Sequence, residues 1–452
     1  MHEVVTIETP GLGDRSYLAH DGSAGVVIDP QRDIDRVLSA ADAAGVTITH
    51  VLETHIHNDY VTGGLALARA AGAAYVVAAA EDVGFDRTGA QDGDEIASGA
   101  LMMRVVATPG HTPGHLSYVL ADSGTGPVAV FTGGSMLFGA VGRTDLISPA
   151  ETERLTRAQY RSVRRLADEL GDHVAVYPTH GFGSFCSATP TSGGASTIGA
   201  QRRANLALTS DENTFVKDLL DGLNAYPSYY AHMGPANRRG PAAPELGMPR
   251  RADPAELRRR IDAGEWVVDL RQRRAFAANH ISGTISLELG DPFATYLGWT
   301  MPWGQPLTLI GEREDQVADA CRQLVRIGID RLAAAATGPT HEMASGRTGR
   351  YEVGDFPALA AGWPLAGRVV LDVRRPDEWR AGHLPGAVHI PFWELERRAA
   401  EVPAGQVWVH CASGFRAAIG ASLLDRAGRQ VVHVDDDWEH AAETGLPITT
   451  RA

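Results

Sequence analysis

Short apolar runs in the first 185 residues break off repeatedly at a residue able to bind or react. The run over 25–29 closes on Asp29, 47–52 leads to His55 and His57, and 103–106 leads to His111. The run over 128–131 leads to Gly134, and 174–177 to His180. With 74–77, these runs read as buried strands between helical segments. One helix is predicted over 149–170, with Ser148 and Pro149 as its N-cap and first residue. Ligands gather at strand carboxyl ends in α/β sheets. The pattern therefore predicts an α/β fold with its histidines drawn to one site.

Composition narrows the class. Apolar residues make up 44% and charged residues 21% of 452, ordinary values for packed domains. A formal net charge of −14, with no long basic run, argues against nucleic acid or an anionic membrane as partner. No apolar stretch approaches the roughly 20 residues of a membrane span, and the first residues carry no signal-like basic and apolar pattern. The cysteines, Cys186, Cys321 and Cys411, are too few and too scattered for a disulfide framework. A cytoplasmic, reducing location is expected.

His55-Ile56-His57-Asn58-Asp59-Tyr60 sets two imidazoles and a carboxylate within five residues. Neutral imidazole and carboxylate are ligands for zinc or iron. Further on come Thr108-Pro109-Gly110-His111, His115 and Tyr177-Pro178-Thr179-His180. His115 is expected to be a structural group behind the ligands. These motifs, in this order, resemble the metallo-β-lactamase superfamily. Within it, residues 1–245 are most similar to the persulfide dioxygenase and glyoxalase II branch. Gly142-Arg143-Thr144-Asp145 and Tyr229-Tyr230 resemble the dioxygenase side.

The resemblance implies one iron held by the first histidine of the motif, the Pro-Gly-His histidine and an aspartate after a Phe-Thr-Gly strand. Those positions are His55, His111 and Gly134. Tyr60 stands where the family has a further histidine. Two changed positions weaken a dinuclear site, which would add Asp59 and His180. The expectation is one mononuclear ion on His55, His57 and His111, iron(II) favoured and zinc(II) the other candidate. Asp59, His180 and Tyr60 would stand behind them or at a second site. A metal-free pocket is the rival reading, because of Tyr60 and Gly134. Arg143, Cys186 and Tyr229 are expected in the substrate pocket; for Cys186 the alternative is a small buried side chain.

Past a linker at 238–244, the chain repeats itself. Asp269-Leu270-Arg271 with His280 and Gly283 is echoed by Asp372-Val373-Arg374 with His383 and Gly386. Only the second copy carries a thiol at its next strand end, in Cys411-Ala412-Ser413-Gly414-Phe415-Arg416; the first has Gly311-Glu312. A cysteine between a strand and a helix faces backbone N–H groups and a helix N-terminus, which stabilise a thiolate. Arg416 is expected to close the loop with a fixed positive charge. Cys321, at a helical position, reads as core.

This loop, with Asp372, His383 and Gly386, resembles the rhodanese family. That implies a persulfide on Cys411, and the four residues between Cys411 and Arg416 match the sulfurtransferase loop rather than the longer oxyanion-binding one. The expected architecture is α/β: an αββα metallo-β-lactamase-fold domain (1–245), a rhodanese-like domain lacking the cysteine (250–345) and an active rhodanese domain (350–452). The resemblance implies sulfane-sulfur metabolism, with small-molecule thiols, persulfides or thiosulfate as partners and a homodimer as assembly. A glyoxalase II-like thioester hydrolase and a metal-free thiol-binding domain on an active sulfurtransferase are the alternatives.

Overall fold

Along Leu101–Ala107, buried Leu101, Met103 and Val105 alternate with exposed Met102 and half-buried Arg104. That is the period of a strand with one face in a core. The computed structural model describes residues 2–122, 126–188, 191, 193–363 and 367–450. The chain forms two units, one running to Glu245 and including Leu324–Gly328, the other comprising Leu246–Gln323 and the residues from Ile329 onward.

The first unit is built on two six-stranded sheets. One runs, in spatial order, Glu3–Thr9, Asp14–His20, Ala24–Ile28, Thr47–Leu52, Ala74–Ala78 and Thr88–Ala90. The other runs Ser196–Thr197, Ala175–Pro178, Gly126–Gly133, Leu116–Asp122, Leu101–Ala107 and Glu95–Ser98. Tyr17, Val26, Leu52 and Val76 of the first sheet share one buried cluster with Met103, Tyr118 and Phe131 of the second. Val27, Val51 and Val77 on the other face of the first sheet pack with Val37 and Ala41 of helix Asp35–Ala44 and Leu65 and Ala68 of helix Gly64–Ala71. Val119, Val130 and Val176 of the second sheet pack with Val163 and Leu166 of helix Thr152–Glu169. The result is an αββα sandwich.

The strands predicted between residues 25 and 177 all form, and the sequence reading missed Glu3–Thr9, Asp14–His20, Leu116–Asp122 and the short strands Thr88–Ala90, Glu95–Ser98 and Ser196–Thr197. The long helix starts at Thr152 rather than 149, with no side-chain cap. The Ser148 carbonyl accepts instead from the Glu151 N–H (3.1 Å) and the Thr152 hydroxyl (3.0 Å), so 148–151 form a turn ahead of the helix.

The second unit holds two parallel sheets, each with its own core. A four-stranded sheet runs Ile285–Ser286, Trp266–Asp269, Leu307–Gly311 and Ala334–Thr337. A five-stranded sheet runs Glu352–Gly354, Val431–Val434, Gln406–His410, Arg368–Asp372 and Val388–His389. Leu257, Val267 and Ile310 anchor the first core, and Phe356, Val370 and Trp408 the second. Helix Phe415–Arg426 also reaches the first sheet, where the Ser422 hydroxyl accepts from the Ser286 N–H at 3.0 Å. Among the described residues, no helix is long and apolar enough to cross a membrane.

Candidate metal centre and thiol loop

Asp29 organises the first site. It has φ +49° and is fully buried, a left-handed conformation that a non-glycine residue keeps only where surrounding contacts hold it. Its carboxylate accepts from the Thr54 N–H (2.7 Å), the Thr54 hydroxyl (2.6 Å) and the Thr179 hydroxyl. It thereby pins the loop carrying His55 and His57 to the one carrying His180.

Each pocket imidazole is held by one ring nitrogen. His55 Nδ1 meets Thr54 Oγ1 at 2.8 Å. The Thr54 hydroxyl hydrogen already goes to Asp29, so the imidazole donates and Nε2 keeps its lone pair. His111 Nδ1 donates to the Arg143 carbonyl at 2.7 Å. His180 Nδ1 donates to Asp14 at 2.9 Å and lies 3.3 Å from Asp59. His57 is held by the opposite nitrogen: Nε2 lies 3.2 Å from Glu53, 3.3 Å from Asp29 and 3.0 Å from the Tyr60 hydroxyl.

Two of the remaining nitrogens face one another. His55 Nε2 and His180 Nε2 are 3.2 Å apart. Ligand atoms of His55, His57 and His180 lie within 4.8 Å of one another, as do those of His111, His180 and Cys186. Buried His57 Nδ1 and His111 Nε2 have no hydrogen-bond partner. Donors about 2.0–2.3 Å from one ion sit roughly 3–4 Å apart, so this donor set fits a divalent metal.

Charge in the pocket is uneven. Burial and neighbouring imidazoles hold His55 well below the usual histidine range and His111 down at about 3. Burial opposes charge on His57 too, but Asp29 and Glu53 outweigh it and push the imidazole up to about 9. Asp59 and Asp14 likewise raise His180 against burial. Burial and the Asp59 charge push Asp14 up to about 7, leaving Asp59 as the ionised partner of His180. A divalent cation competes with the protons on His57 and His180, so its affinity rises with pH.

The grouping of the histidines differs from the expectation, while Asp59, Tyr60 and His115 stand where a supporting role would put them. The expected trio of His55, His57 and His111 does not form the tight group; His180 does so with His55 and His57, because Asp14 and Asp59 turn its Nε2 inward. Asp59 therefore acts behind His180. Tyr60 stacks on His57 at 4.2 Å and holds its Nε2. The Arg143 guanidinium is consumed by Asp145 (2.7 and 2.8 Å) and the Phe185 and Asn224 carbonyls, so its contribution to the pocket is the backbone carbonyl under His111. Tyr229 is buried with its ring edge-on to Tyr230. His115 is a brace: Nδ1 meets Thr108 Oγ1 and Nε2 accepts from the Gly134 N–H at 3.0 Å. A Cβ built on Gly134 would sit 2.3 Å from His111 Cδ2, so the imidazole fills the space of any side chain there. Sequence reasoning missed Asp14, which belongs to no motif, and Glu53, whose i−4 spacing from His57 was the available signal.

The thiol loop belongs to the second unit. Cys411 is buried at the end of strand Gln406–His410, and helix Phe415–Arg426 starts four residues on. The Ala412 carbonyl accepts from the Trp438 N–H (2.8 Å) and the Gly414 carbonyl from His433 Nε2 (2.9 Å). Gly414 has φ +86°, and a Cβ there would meet Asp435 at 2.2 Å. Only glycine fits. Ser413 is the exposed tip of the loop, and Phe415 packs on Tyr296 at 5.5 Å.

Arg416 does not stand as an uncompensated charge. Its guanidinium grips Glu378 in a two-pronged pair at 2.6 and 2.7 Å, a geometry that fixes both groups. Tyr296 and Trp299, from helix Phe293–Thr300, pack against Phe392 beside this loop. The preceding module thus helps to wall the thiol, which no motif signalled. Cys321 is buried on helix Glu314–Arg326, as expected of a core residue.

Two family models match: "Metallo-beta-lactamase superfamily" over residues 11–180 and "Rhodanese-like domain" over residues 359–443. The chain is 33% identical to a hydroxyacylglutathione hydrolase of Brucella anthropi over 38% of its own length and 66% of that protein's, just under two thirds. It is 30% identical to a mitochondrial persulfide dioxygenase of Bos taurus, across 50% of this chain and 82% of the relative. A solved metallo-beta-lactamase from Staphylococcus aureus subsp. aureus COL superposes with TM-score 0.66 at 28% identity, covering 75% of this chain and 99% of that one. The chain belongs to the metallo-β-lactamase superfamily, on its persulfide dioxygenase side, and carries a rhodanese-like domain as a fusion partner.

Proposed function

We propose that the chain is an enzyme of sulfane-sulfur metabolism, in which a metal centre in 1–245 works alongside a sulfurtransferase in 350–452. The observation that carries the reading is the tautomer pattern of the pocket. His55, His111 and His180 each commit Nδ1, and His57 commits Nε2, to a protein partner. Packing accounts for the His55–His180 pair, a hydrogen bond between their Nε2 atoms, but gives no partner to buried His57 Nδ1 and His111 Nε2. A cation does.

Iron(II) or zinc(II) in this pocket supplies Lewis-acid chemistry and, for iron, redox chemistry at a bound persulfide. The protein residues orient it: Asp29, Glu53 and Tyr60 through His57, Asp14 and Asp59 through His180. The net reaction converts a persulfide, dioxygen and water into a thiol and sulfite. At the other site the Cys411 thiolate attacks the outer sulfur of thiosulfate or a small persulfide. A new S–S bond to Cys411 forms as the donor's S–S bond breaks, and sulfite or a thiolate leaves with the bonding pair. A cyanide or thiol acceptor then removes the sulfur and regenerates Cys411.

Residues 250–345 are assigned as a rhodanese-like copy whose Gly311 occupies the thiol position. Small thiols, persulfides and thiosulfate are the proposed partners, with the cytoplasm as location and a homodimer as assembly. The likeness to a hydroxyacylglutathione hydrolase favours a second reading, a metal-dependent thioesterase.

Oxygen uptake with glutathione persulfide separates the readings. Uptake that disappears in His111→Ala supports the dioxygenase. Thioester cleavage without uptake makes the first domain a hydrolase. Neither activity, with Cys411-dependent thiocyanate formation intact, makes it a thiol-binding domain.

A further inference from the structure

We propose that Cys186 is a metal ligand, its sulfur replacing the carboxylate that position 134 lacks, with His111 and His180 beside it. The inference rests on the metal-centre reading above. The Cys186 sulfur and ring nitrogens of His111 and His180 lie within 4.8 Å of one another, and all three side chains are fully buried. His111 Nε2 has no hydrogen-bond partner. Residue 143 ties the two loops together through its backbone: its N–H donates to the Cys186 carbonyl (2.8 Å), and its carbonyl accepts from His111 Nδ1 (2.7 Å).

Position 134 supplies no ligand, because glycine has no side chain and the His111 ring occupies the space beside it. Cys186 brings a thiol, which becomes an anionic donor only on binding, to the same imidazole from another loop. Two other buried clusters of possible ligands are better explained as ion pairs. Asp14 and Asp59 meet His180 at Nδ1, and Asp29 and Glu53 meet His57 at Nε2, the committed nitrogen in each case.

On binding, the Cys186 thiol releases its proton to solvent and the sulfur donates a lone pair; no electron is transferred. A thiolate beside imidazoles selects zinc or iron over magnesium or manganese. Thiolate ligation also gives the ion a spectroscopic signature that imidazole and carboxylate lack.

The test uses the purified full chain, stripped of metal and titrated with cobalt(II) alone. Wild type is expected to take up about one equivalent and to show a near-ultraviolet thiolate-to-cobalt band. Cys186→Ser should lose that band and bind at least about tenfold more weakly. Cys186→Asp should bind without the band, and Cys411→Ser should keep it. Loss of uptake in Cys186→Ser that Cys186→Asp restores supports the assignment equally. A band that survives Cys186→Ser, or that disappears with Cys411→Ser, overturns it. Cobalt uptake by wild type without any thiolate band overturns it and leaves the metal centre standing. No uptake by wild type overturns the metal centre as well.

Discussion

The two parallel sheets of the second unit carry the same polar fork and differ at one strand end. In the first, the Arg271 guanidinium holds Asp269 (Nη2 to Oδ2, 2.7 Å) and donates to the Asn279 carbonyl at 2.9 Å. In the second, Arg374 holds Asp372 (2.6 Å) and donates to the Gly382 carbonyl at 2.7 Å. His280 Nδ1 and His383 Nδ1 each donate to a carbonyl four residues back, both at 2.9 Å. Strand register aligns the rest: Asp269 faces Ile310 and Asp372 faces His410, so Gly311 takes the position of Cys411. The repeated Asp, Arg and His therefore build the scaffold. What distinguishes the second copy is the loop after the strand.

The sharpest way to break this comparison is to remove the thiol. Cys411→Ser should lower thiocyanate formation from thiosulfate and cyanide by at least about a thousandfold, whereas Cys321→Ser should leave it unchanged. Equal loss in both variants would refute the assignment of Cys411. Next come the forks. Arg374→Ala strands a buried carboxylate and should cost about 3–5 kcal/mol in urea unfolding. Arg271→Ala should fall in the same range, and a cost near zero for one of them would end the equivalence of the two scaffolds.

Placing a thiol in the first copy is the reciprocal test. A Cβ at Gly311 meets nothing closer than 3.3 Å, so Gly311→Cys should fold. Helix Glu314–Arg326 begins only three residues later, however, and the Gln316 side chain already accepts from the Glu312 N–H at 2.8 Å. In a Cys411→Ser background this variant should recover less than about 1% of wild-type transfer, because the Glu312 and Arg313 N–H groups that could stabilise an anion are already bound to Gln316.

The smallest effect is one of pH. Burial lowers His410, against the opposing pull of Asp372, and likewise lowers His433 against its Gly414 hydrogen bond and Asp435, so both are neutral in the folded chain. The unfolded chain binds protons at these histidines below about pH 6.5. Stability therefore rises with pH through that window and falls on acidification. Ile310 and Ala335 occupy the matching register positions in the first sheet. Between pH 7 and 5, amide exchange should accelerate more in Gln406–His410 than in Leu307–Gly311.

Much of this was legible in the sequence because it lies in local patterns. Strand runs, the histidine motifs and the Cys411 loop show in periodicity and spacing. The edge strand Glu3–Thr9 exposes Glu3, Thr6 and Glu8 and leaves Val4, Val5 and Ile7 only half-buried, so its short apolar runs are interrupted by polar residues. The pocket was harder, since the choice of ligand depends on which ring nitrogen a distant group occupies. Asp14 turns His180 across 166 residues of chain, and no spacing rule reports that. Glu378 reaches Arg416 across 38 residues and neutralises a charge that the loop motif implied was free.

The imidazole of His111 lies where any side chain at position 134 must go. Restoring an aspartate there by a single codon change would drive its Cβ into that imidazole, disrupting the pocket before any carboxylate could serve it. A carboxylate at position 134 therefore requires a paired change, with position 111 or its support on Arg143 shifting as well. The glycine acts as a latch: with His111 seated over it, the pocket's chemistry is limited to the donors that other positions supply.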